Sequence, residues 1–405
     1  MSQPTERAAT FGEVFAVPEF RVLFGSFALL VGGDSVKMLA LSVLVYAQSG
    51  SPGLSAAAYM VGWLPYIFGG MFLLSLADRL PPRALMIAGE LVRMVVCLLL
   101  AFAGLPVWAM LALVLVTGLF SPVFMAARNA MLPDVLPGDA FVLARSLMGV
   151  TSAAAQVGGL ALGGAFLALT GAHGALAVTA VLSLAAALVL RYGLPYRPAR
   201  QAKAHGTVRA TVRATLRVNR ELLADPKVRG LLLAAWLPVM CLAGAEAMIV
   251  PYMGGQGQAG VVLAAAAVGM AVGEFCVGRF AAPAVRERLS LPLAVLLGVP
   301  WLFFVLRPGI FWAAVLAAVA SAGLAYQLGL QRRFLDAVPE RVRGQAFGLQ
   351  SSGLMTGQAA GAAIIGGVGE VSGPAPAMVA GGVAAVAVAL ALFRQLSAPV
   401  RQSRG

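Results

Sequence analysis

Apolar runs of about 20 residues, long enough to cross a bilayer core as helices, follow one another along this chain with few polar interruptions. They predict spanning helices over about Val22–Ala47, Gly53–Leu76, Ala84–Gly104 and Val107–Ala127. A fifth follows the turn Pro133–Phe141, and a sixth ends near Tyr192. The pattern resumes over about Gly230–Met253, Ala259–Gly278, Leu291–Leu306 and Ile310–Gln331, with an eleventh run opened by the turn Pro339–Phe347 and a twelfth over about Ala377–Phe393. The expectation is an all-α integral membrane protein with twelve transmembrane helices.

The longest polar interval lies in the middle. Leu194 to Arg229 carries nine of the 29 Lys and Arg against two acids, Glu221 and Asp225. It divides the chain into an expected six-helix bundle over 1–193, a basic linker over 194–229 and a second bundle over 230–405. Within the linker Arg209, Arg213, Arg217 and Arg220 recur at helical spacing, with Val208, Val212, Leu216 and Leu223 one residue out of step. Two readings stay open: a helix lying on an anionic membrane face, or a solvated linker helix whose charge only reflects topology.

Composition agrees with insertion: 11% of residues are charged and 60% hydrophobic, with a mean hydropathy of +0.89, far from the roughly one-quarter charged typical of soluble chains. The formal charge of +13 does not read as nucleic-acid binding, which needs a basic, aromatic-bearing soluble face. All Lys and Arg except Lys37, Arg93 and Arg307 fall at or near one side of the predicted membrane, so both termini and the linker are expected in the cytoplasm. Cys97, Cys241 and Cys276 sit inside apolar runs without C-x-x-C spacing and read as small core residues, not as a metal or disulfide framework. Residues 1–20 hold Glu6, Glu13 and Glu19 and lack the apolar core of a cleavable signal, so the first helix is expected to direct insertion into a bacterial cytoplasmic membrane.

An internal repeat organises the two halves. Pro133-Asp134-x-x-Pro137-Gly138-x-Ala140-Phe141 returns 206 residues later as Pro339-Glu340-x-x-Arg343-Gly344-x-Ala346-Phe347. Gln156-x-x-Gly159 is echoed by Gln358-x-x-Gly361, and Gly32-Gly33-Asp34 by Gly244-Ala245-Glu246. Three matches in the same order imply two six-helix halves related by pseudo-symmetry.

Several of these residues carry a resemblance: Pro18-x-Phe20-Arg21, Gly33-Asp34, Leu76-Ala77-Asp78-Arg79, Ala127-Arg128-Asn129-Ala130-x-Leu132-Pro133-Asp134, Gly163-Gly164 and Val338-Pro339-Glu340 with Arg343-Gly344. Along essentially its whole length the chain resembles the major facilitator superfamily, and its first half looks most like the bacterial efflux branch that includes macrolide exporters and the enterobactin exporter. It departs from the family pattern at Leu74 and Pro81, where glycines are usual, and at Leu160, where antiporters carry proline. The fourth helix, ended at Ala127, holds no charge and so lacks the arginine of many proton antiporters.

An ionisable group at mid-membrane costs about 2.5–3.5 kcal/mol to insert and therefore needs a partner or a cavity. Asp34 and Lys37, three apart on one helix face, are expected to pair and line a central cavity, with a purely structural pair that fixes the first helix as the alternative. Glu90 and Arg93 repeat the spacing in the third helix, where structural pairing is the preferred reading and a place at the cavity, with Arg93 reaching a partner on another helix, the alternative. Glu246, the counterpart of Asp34, is a candidate proton or cation site or else lies at a solvated outer mouth, and Glu274 is expected to pair with Arg279 or a nearby loop. Asp78, Arg79 and Arg83 resemble the superfamily's gating loop, which latches helix ends in one conformation. Trp63, Tyr66, Gln156, Trp236, Tyr326 and Gln358 are candidate cavity-lining residues, with core or interface anchoring as the alternative for each. Gly353, Gly357 and Gly361 form a small-residue stripe suited to close helix packing.

Enzyme chemistry finds little support: His173 and His205 fall in loops on opposite sides, and no nucleophile elbow, P-loop or metal-ligand spacing occurs. The resemblance implies a secondary transporter working without cofactor or metal, as a monomer, on a small molecule. Export of an amphipathic or drug-like compound in exchange for protons is the leading expectation. An importer or facilitator of a metabolite or lipid, and a non-transporting membrane scaffold or sensor, remain the alternatives.

Overall fold

The computed structural model describes residues 9–49, 69, 72–200, 208–253 and 256–397, with the side chains of 156, 157, 159–166, 168, 208–211 and 256–258 left aside. Among these residues every regular element is helical. Nine helices are long and apolar enough to span a membrane: Pro18–Ser49, Pro82–Phe102, Val107–Val135, Leu169–Gly193, Pro226–Met253, Ala259–Phe280, Pro283–Leu306, Ile310–Ala337 and Pro374–Ala391. Two further long helical stretches stand where the fifth and eleventh spans are expected. One is the first part of Asp139–Gly193, which breaks at Gly171 with φ 68°, and the other is Arg343–Ser372. The expected second span falls mostly outside the described residues, as do Trp63 and Tyr66.

Several boundaries move from those the apolar runs predict. The fourth span does not stop at Ala127 but resumes as Ser121–Val135, so the expected turn begins only at Leu136, and Arg128 and Asn129 become helical and buried. Hydropathy ends a span at the first charge, whereas a backbone already hydrogen-bonded continues as long as its side chains find partners. The seventh span starts earlier than Gly230. Asp225 accepts from the amides of Lys227 and Val228 (2.8 and 3.2 Å) and Pro226 occupies the first turn, a start signal independent of hydropathy.

Helices before the linker pack mainly on one another: Pro18–Ser49 and Pro82–Phe102 both lie against Asp139–Gly193. After the linker, Pro226–Ala247 packs on Arg343–Ser372 and Pro374–Ala391, and Gln256–Phe280 on Ile310–Ala322. Glycines set the closest of these contacts. A Cβ at Gly361 would lie 1.9 Å from the Met240 carbonyl oxygen, and one at Gly353 2.3 Å from the Trp236 ring, which is close approach that only a missing side chain allows.

The halves meet along two seams, Asp139–Gly193 against Gln256–Phe280 and Ser121–Val135 against Arg343–Ser372. Short helices cover both at the end of the molecule that bears the linker. On the first seam, Phe11–Ala16, started by a Thr10/Glu13 capping box, stacks Phe11 on Phe275 at 5.5 Å and beneath the Arg279 guanidinium. On the second lies the linker helix Val208–Ala224, whose Thr215, Asn219 and Leu222 are buried.

Candidate functional site

Three groups of polar side chains sit among the apolar helices. The first is a five-residue charge cluster inside the first half. Lys37 Nζ lies 2.5 Å from Asp34 Oδ1, as the three-residue spacing predicts, and Arg93 Nε approaches the same oxygen at 4.0 Å. Arg93 also meets Glu90 at 3.5 Å and donates to the Leu30 carbonyl at 3.2 Å. Behind them Arg128 pairs with Glu90 at 3.6 Å, with both side chains 2% exposed, and it donates to the Leu23 carbonyl and Ser26 Oγ at 2.9 and 2.7 Å. Charges buried this deeply are tolerable only when paired and hydrogen-bonded, and Arg128 meets both conditions. The cluster is graded, since Asp34 is 43% exposed where Glu90 is shut in. It opens on a cleft of about 860 Å³, open solvent included, walled by Met38, Met86, Val114, Thr117 and Phe124.

The second group lies between the halves. A cleft of about 880 Å³, again including open solvent, is lined by Asn129, Arg145, Gly149 and Ser152 from the first half and by Glu274, Gln327, Gln331 and Ser351 from the second. Phe27, Met125, Met148, Leu354 and Met355 make its apolar wall, a mix of soft surface and few polar groups typical of small-molecule sites. Arg145 donates to Asn129 Oδ1 at 2.9 Å, and Ser146 Oγ donates to the Glu274 carbonyl at 2.5 Å. Glu274 does not turn to Arg279 as expected. It points across the seam against Gly149, where a Cβ would sit 1.5 Å from Oε2, while Arg279 is stacked on Phe11. Helical phase decides this: Glu274 and Arg279 are five residues apart and face different sides.

The third group closes the linker end. Asp78 Oδ1 and Oδ2 accept from the backbone amides of Gly344 and Gln345 at 2.9 and 2.7 Å. These are orphan donors in the first turn of Arg343–Ser372, a natural anion site. Its partner in the second half is thus a helix start, with Arg200 of the linker region 4.0 Å away. Burial pushes the Asp78 carboxyl up to about 6, against the pull of the two amides and Arg200. Pseudo-symmetry supplies the counterpart with the roles exchanged, because Arg286, which opens the helix after Gln256–Phe280, pairs with Asp139 at the start of Asp139–Gly193. Asp139 also accepts from the Ala9 amide at 2.7 Å. Arg343 reaches Asp134 at 3.8 Å, and Phe141 meets Phe347 edge-on at 6.2 Å, so the repeated turns touch each other. Arg83 bonds the Arg191 carbonyl within its own half, and Arg79 Nε is buried without a hydrogen-bond partner among the described residues.

The remaining candidates divide. Glu246 accepts from Ser321 Oγ at 2.9 Å, apart from both clefts. Tyr326 is fully buried and donates toward the Ala234 and Ala235 carbonyls, and Trp236 Nε1 donates to the Gln350 carbonyl at 2.8 Å. Both bond to carbonyls within the second half, and neither they nor Gln358 line either of the two clefts described above. The side chain of Gln156 lies outside the described residues. Arg128, Asn129, Arg145, Gln327 and Gln331 are absent from the sequence-derived candidates. Arg128 and Asn129 belong to the motif that carried the resemblance, and Gln327 and Gln331 are spaced four apart on one helix face. Arg145 offers no sequence signal beyond its charge. Among the described residues no group of three or more His, Cys, Asp or Glu could hold a metal.

Two helical halves surround a mixed polar and apolar cleft and are hydrogen-bonded to each other at one end through Asp78. The family model described as Major Facilitator Superfamily matches residues 23–329, and the chain belongs to that superfamily. It is a membrane-embedded secondary transporter for a small molecule and not an enzyme. No curated protein sequence matches it. Among solved structures, it is similar to the human organic anion transporter MFSD10 (TETRAN) with 15% identity, TM-score 0.76, and 93% of this chain and 99% of that one covered. It is also similar to a variant of the E. coli fucose:proton symporter FucP with 13% identity, TM-score 0.71, and 93% and 98% covered. A second FucP structure, in the outward conformation, gives TM-score 0.70 at 13% identity over 94% and 99%. At these identities the likeness establishes the fold.

Proposed function

We propose that the chain is a proton-coupled exporter of a small amphipathic molecule, resembling the bacterial efflux branch of its superfamily, in the cytoplasmic membrane with its linker end and both termini in the cytoplasm. In this reading the molecule works as a monomer, and 1–193 and 230–405 rock about the cleft between them while 194–229 joins them. The observation that carries it is the graded charge cluster, in which a half-exposed Asp34 is tied to Lys37 and Arg93, and these lead inward to a closed Glu90–Arg128 pair. A proton on Asp34 cancels its attraction for Lys37 and Arg93, frees Arg93 to close on Glu90 and changes which packing of the first half is favoured. A gradient acting on that difference biases the two orientations of the carrier. The inter-half cleft takes the substrate, its methionines adapting to an apolar body and Asn129, Arg145, Glu274, Gln327 and Gln331 orienting polar groups.

The test uses a probe chosen by thermal stabilisation of purified protein against a panel of amphipathic compounds. Its accumulation in proteoliposomes is then followed with and without an imposed pH gradient. Asp34→Asn, and the neutral pair Asp34→Asn with Lys37→Met, retain binding and lose gradient-driven accumulation. A neutral double variant that concentrates the probe as the parent does refutes Asp34 as the coupling group. One observation favours a second reading, facilitated movement of an anionic metabolite: three bases face two acids in the cluster. Under that reading the pH gradient changes nothing.

A further inference from the structure

The linker helix Val208–Ala224 has two unlike faces. Inward, it touches both halves at once: Thr215 Oγ1 accepts from the Ser75 amide of the first half at 3.1 Å, while the Thr215 carbonyl and Asn219 Oδ1 accept from Gln345 Nε2 of the second half at 2.8 and 2.7 Å. Gln345 is the residue whose amide Asp78 holds at 2.7 Å, so the strap and the Asp78 latch share one residue. Outward, Arg213, Arg217 and Arg220 are exposed. Leu216 and Leu223 flank them on one side, 41% and 36% exposed. The other flank carries the helix's one acid, Glu221, 3.8 Å from Arg217. Leu216 and Leu223 lie next to the packed face, where an amphipathic helix carries apolar residues, yet each keeps more than a third of its surface exposed, which a helix packed on protein alone leaves in water. Beside a bilayer that surface is used, because the leucines enter the acyl boundary while the guanidinium groups reach phosphates.

We infer that the linker helix is a lipid-sensing strap: its outward face binds the anionic phospholipid headgroups of the adjoining leaflet, and that binding holds the linker end closed through Thr215, Asn219 and Gln345. A helix docked on the membrane edge keeps its inward polar face against Ser75 and Gln345. Released from the membrane, it loses the seat that sets its register, and the halves part more readily at Asp78. Each arginine near an anionic surface contributes about a fivefold preference, so the closed population responds by one to two orders of magnitude to all three. This rests on the proposed orientation of the linker end but not on substrate or proton coupling, because the readout is conformational.

The full chain carrying Ser351→Cys in the inter-half cleft, with the exposed Cys276 changed to Ser, is reconstituted in sealed proteoliposomes of phosphatidylcholine alone or with phosphatidylglycerol. Labelling by a membrane-impermeant thiol reagent present only on the side that bears the linker is then timed. Phosphatidylglycerol slows labelling of this parent about tenfold or more. Arg213→Gln, Arg217→Gln and Arg220→Gln together abolish the response and label in both lipids at the parent's rate in phosphatidylcholine. Thr215→Val with Asn219→Leu labels fast in both. Arg288→Gln with Arg394→Gln, exposed bases elsewhere, keeps the full response. A parent indifferent to phosphatidylglycerol overturns the inference. So does a triple variant that still responds, or an Arg288/Arg394 variant that loses the response equally, since bulk charge is then the cause.

Discussion

Gly348 offers the sharpest test of how closely the halves are pressed together. It lies in the helix Arg343–Ser372 of the second half and faces Leu74 and Ala126 of the first. A Cβ built on it would stand 2.3 Å from Leu74 Cδ2 and 2.9 Å from Ala126 Cβ. The leucine methyl can rotate aside; the alanine Cβ is fixed to its backbone, so Gly348→Ala requires the helices themselves to separate by roughly half an ångström or more. Overpacking of this kind costs about 1–3 kcal/mol, and only where the halves are in contact. Alanine also gains about 1 kcal/mol over glycine in a helix, equally in every conformation, so the protein stays folded while its equilibrium moves. A differential of 1–3 kcal/mol shifts the closed-to-open ratio by about 5–150-fold. The assay is thiol labelling at Ser351→Cys from the linker end, which is expected to quicken by that factor in Gly348→Ala and to return to the parental rate when Ala126→Gly restores the space. Labelling unchanged in a well-folded Gly348→Ala protein refutes the idea that this contact exists only in the closed form.

Acidification is expected to tighten the latch. The Asp78 carboxyl is raised to about 6 where it is buried and returns to an ordinary carboxylate value near 3.9 once the halves part. The closed form therefore binds the proton more tightly. Its advantage is complete below the solvated value and is lost as pH rises through about 6, a swing on the order of 3 kcal/mol. The same labelling, divided at each pH by the rate of the unfolded protein because the thiolate fraction itself falls with pH, decreases between pH 7.5 and 5; a normalised rate that rises or stays constant on acidification contradicts this. Glu90→Ala leaves Arg128 charged and unpaired among apolar helices and is expected to cost about 3–5 kcal/mol, while Glu90→Leu with Arg128→Met is near neutral. Thermal unfolding in detergent decides, and a single variant as stable as the parent refutes the pairing.

Membrane insertion, the all-helical class and the repeated turns were legible in the sequence because each depends on local quantities: run length against bilayer thickness, and residue types that bend or start a helix. The Asp34–Lys37 pair was legible for the same reason, since a three-residue spacing on one helix dictates contact whatever surrounds it. Everything that joins one helix to another was decided by tertiary structure. Arg128 looked like a charge at the membrane edge until the third helix brought Glu90 to it. Glu274 looked like a partner for Arg279 until the seam turned it onto Gly149. Asp78 stood out as a charge of a loop resembling a gating loop, but its hydrogen-bond partners across the seam are two backbone amides, which no side-chain pattern can advertise because every residue but proline carries one. Tyr326 and Trp236 look the same on a sequence whether they line a cavity or anchor a core, and only the carbonyls of Ala234, Ala235 and Gln350 within reach of their polar atoms distinguish the two. Spacing along one helix fixes angle and rise; the identity of the group across a seam depends on how two helices are set against each other, and that is a property of the packed bundle.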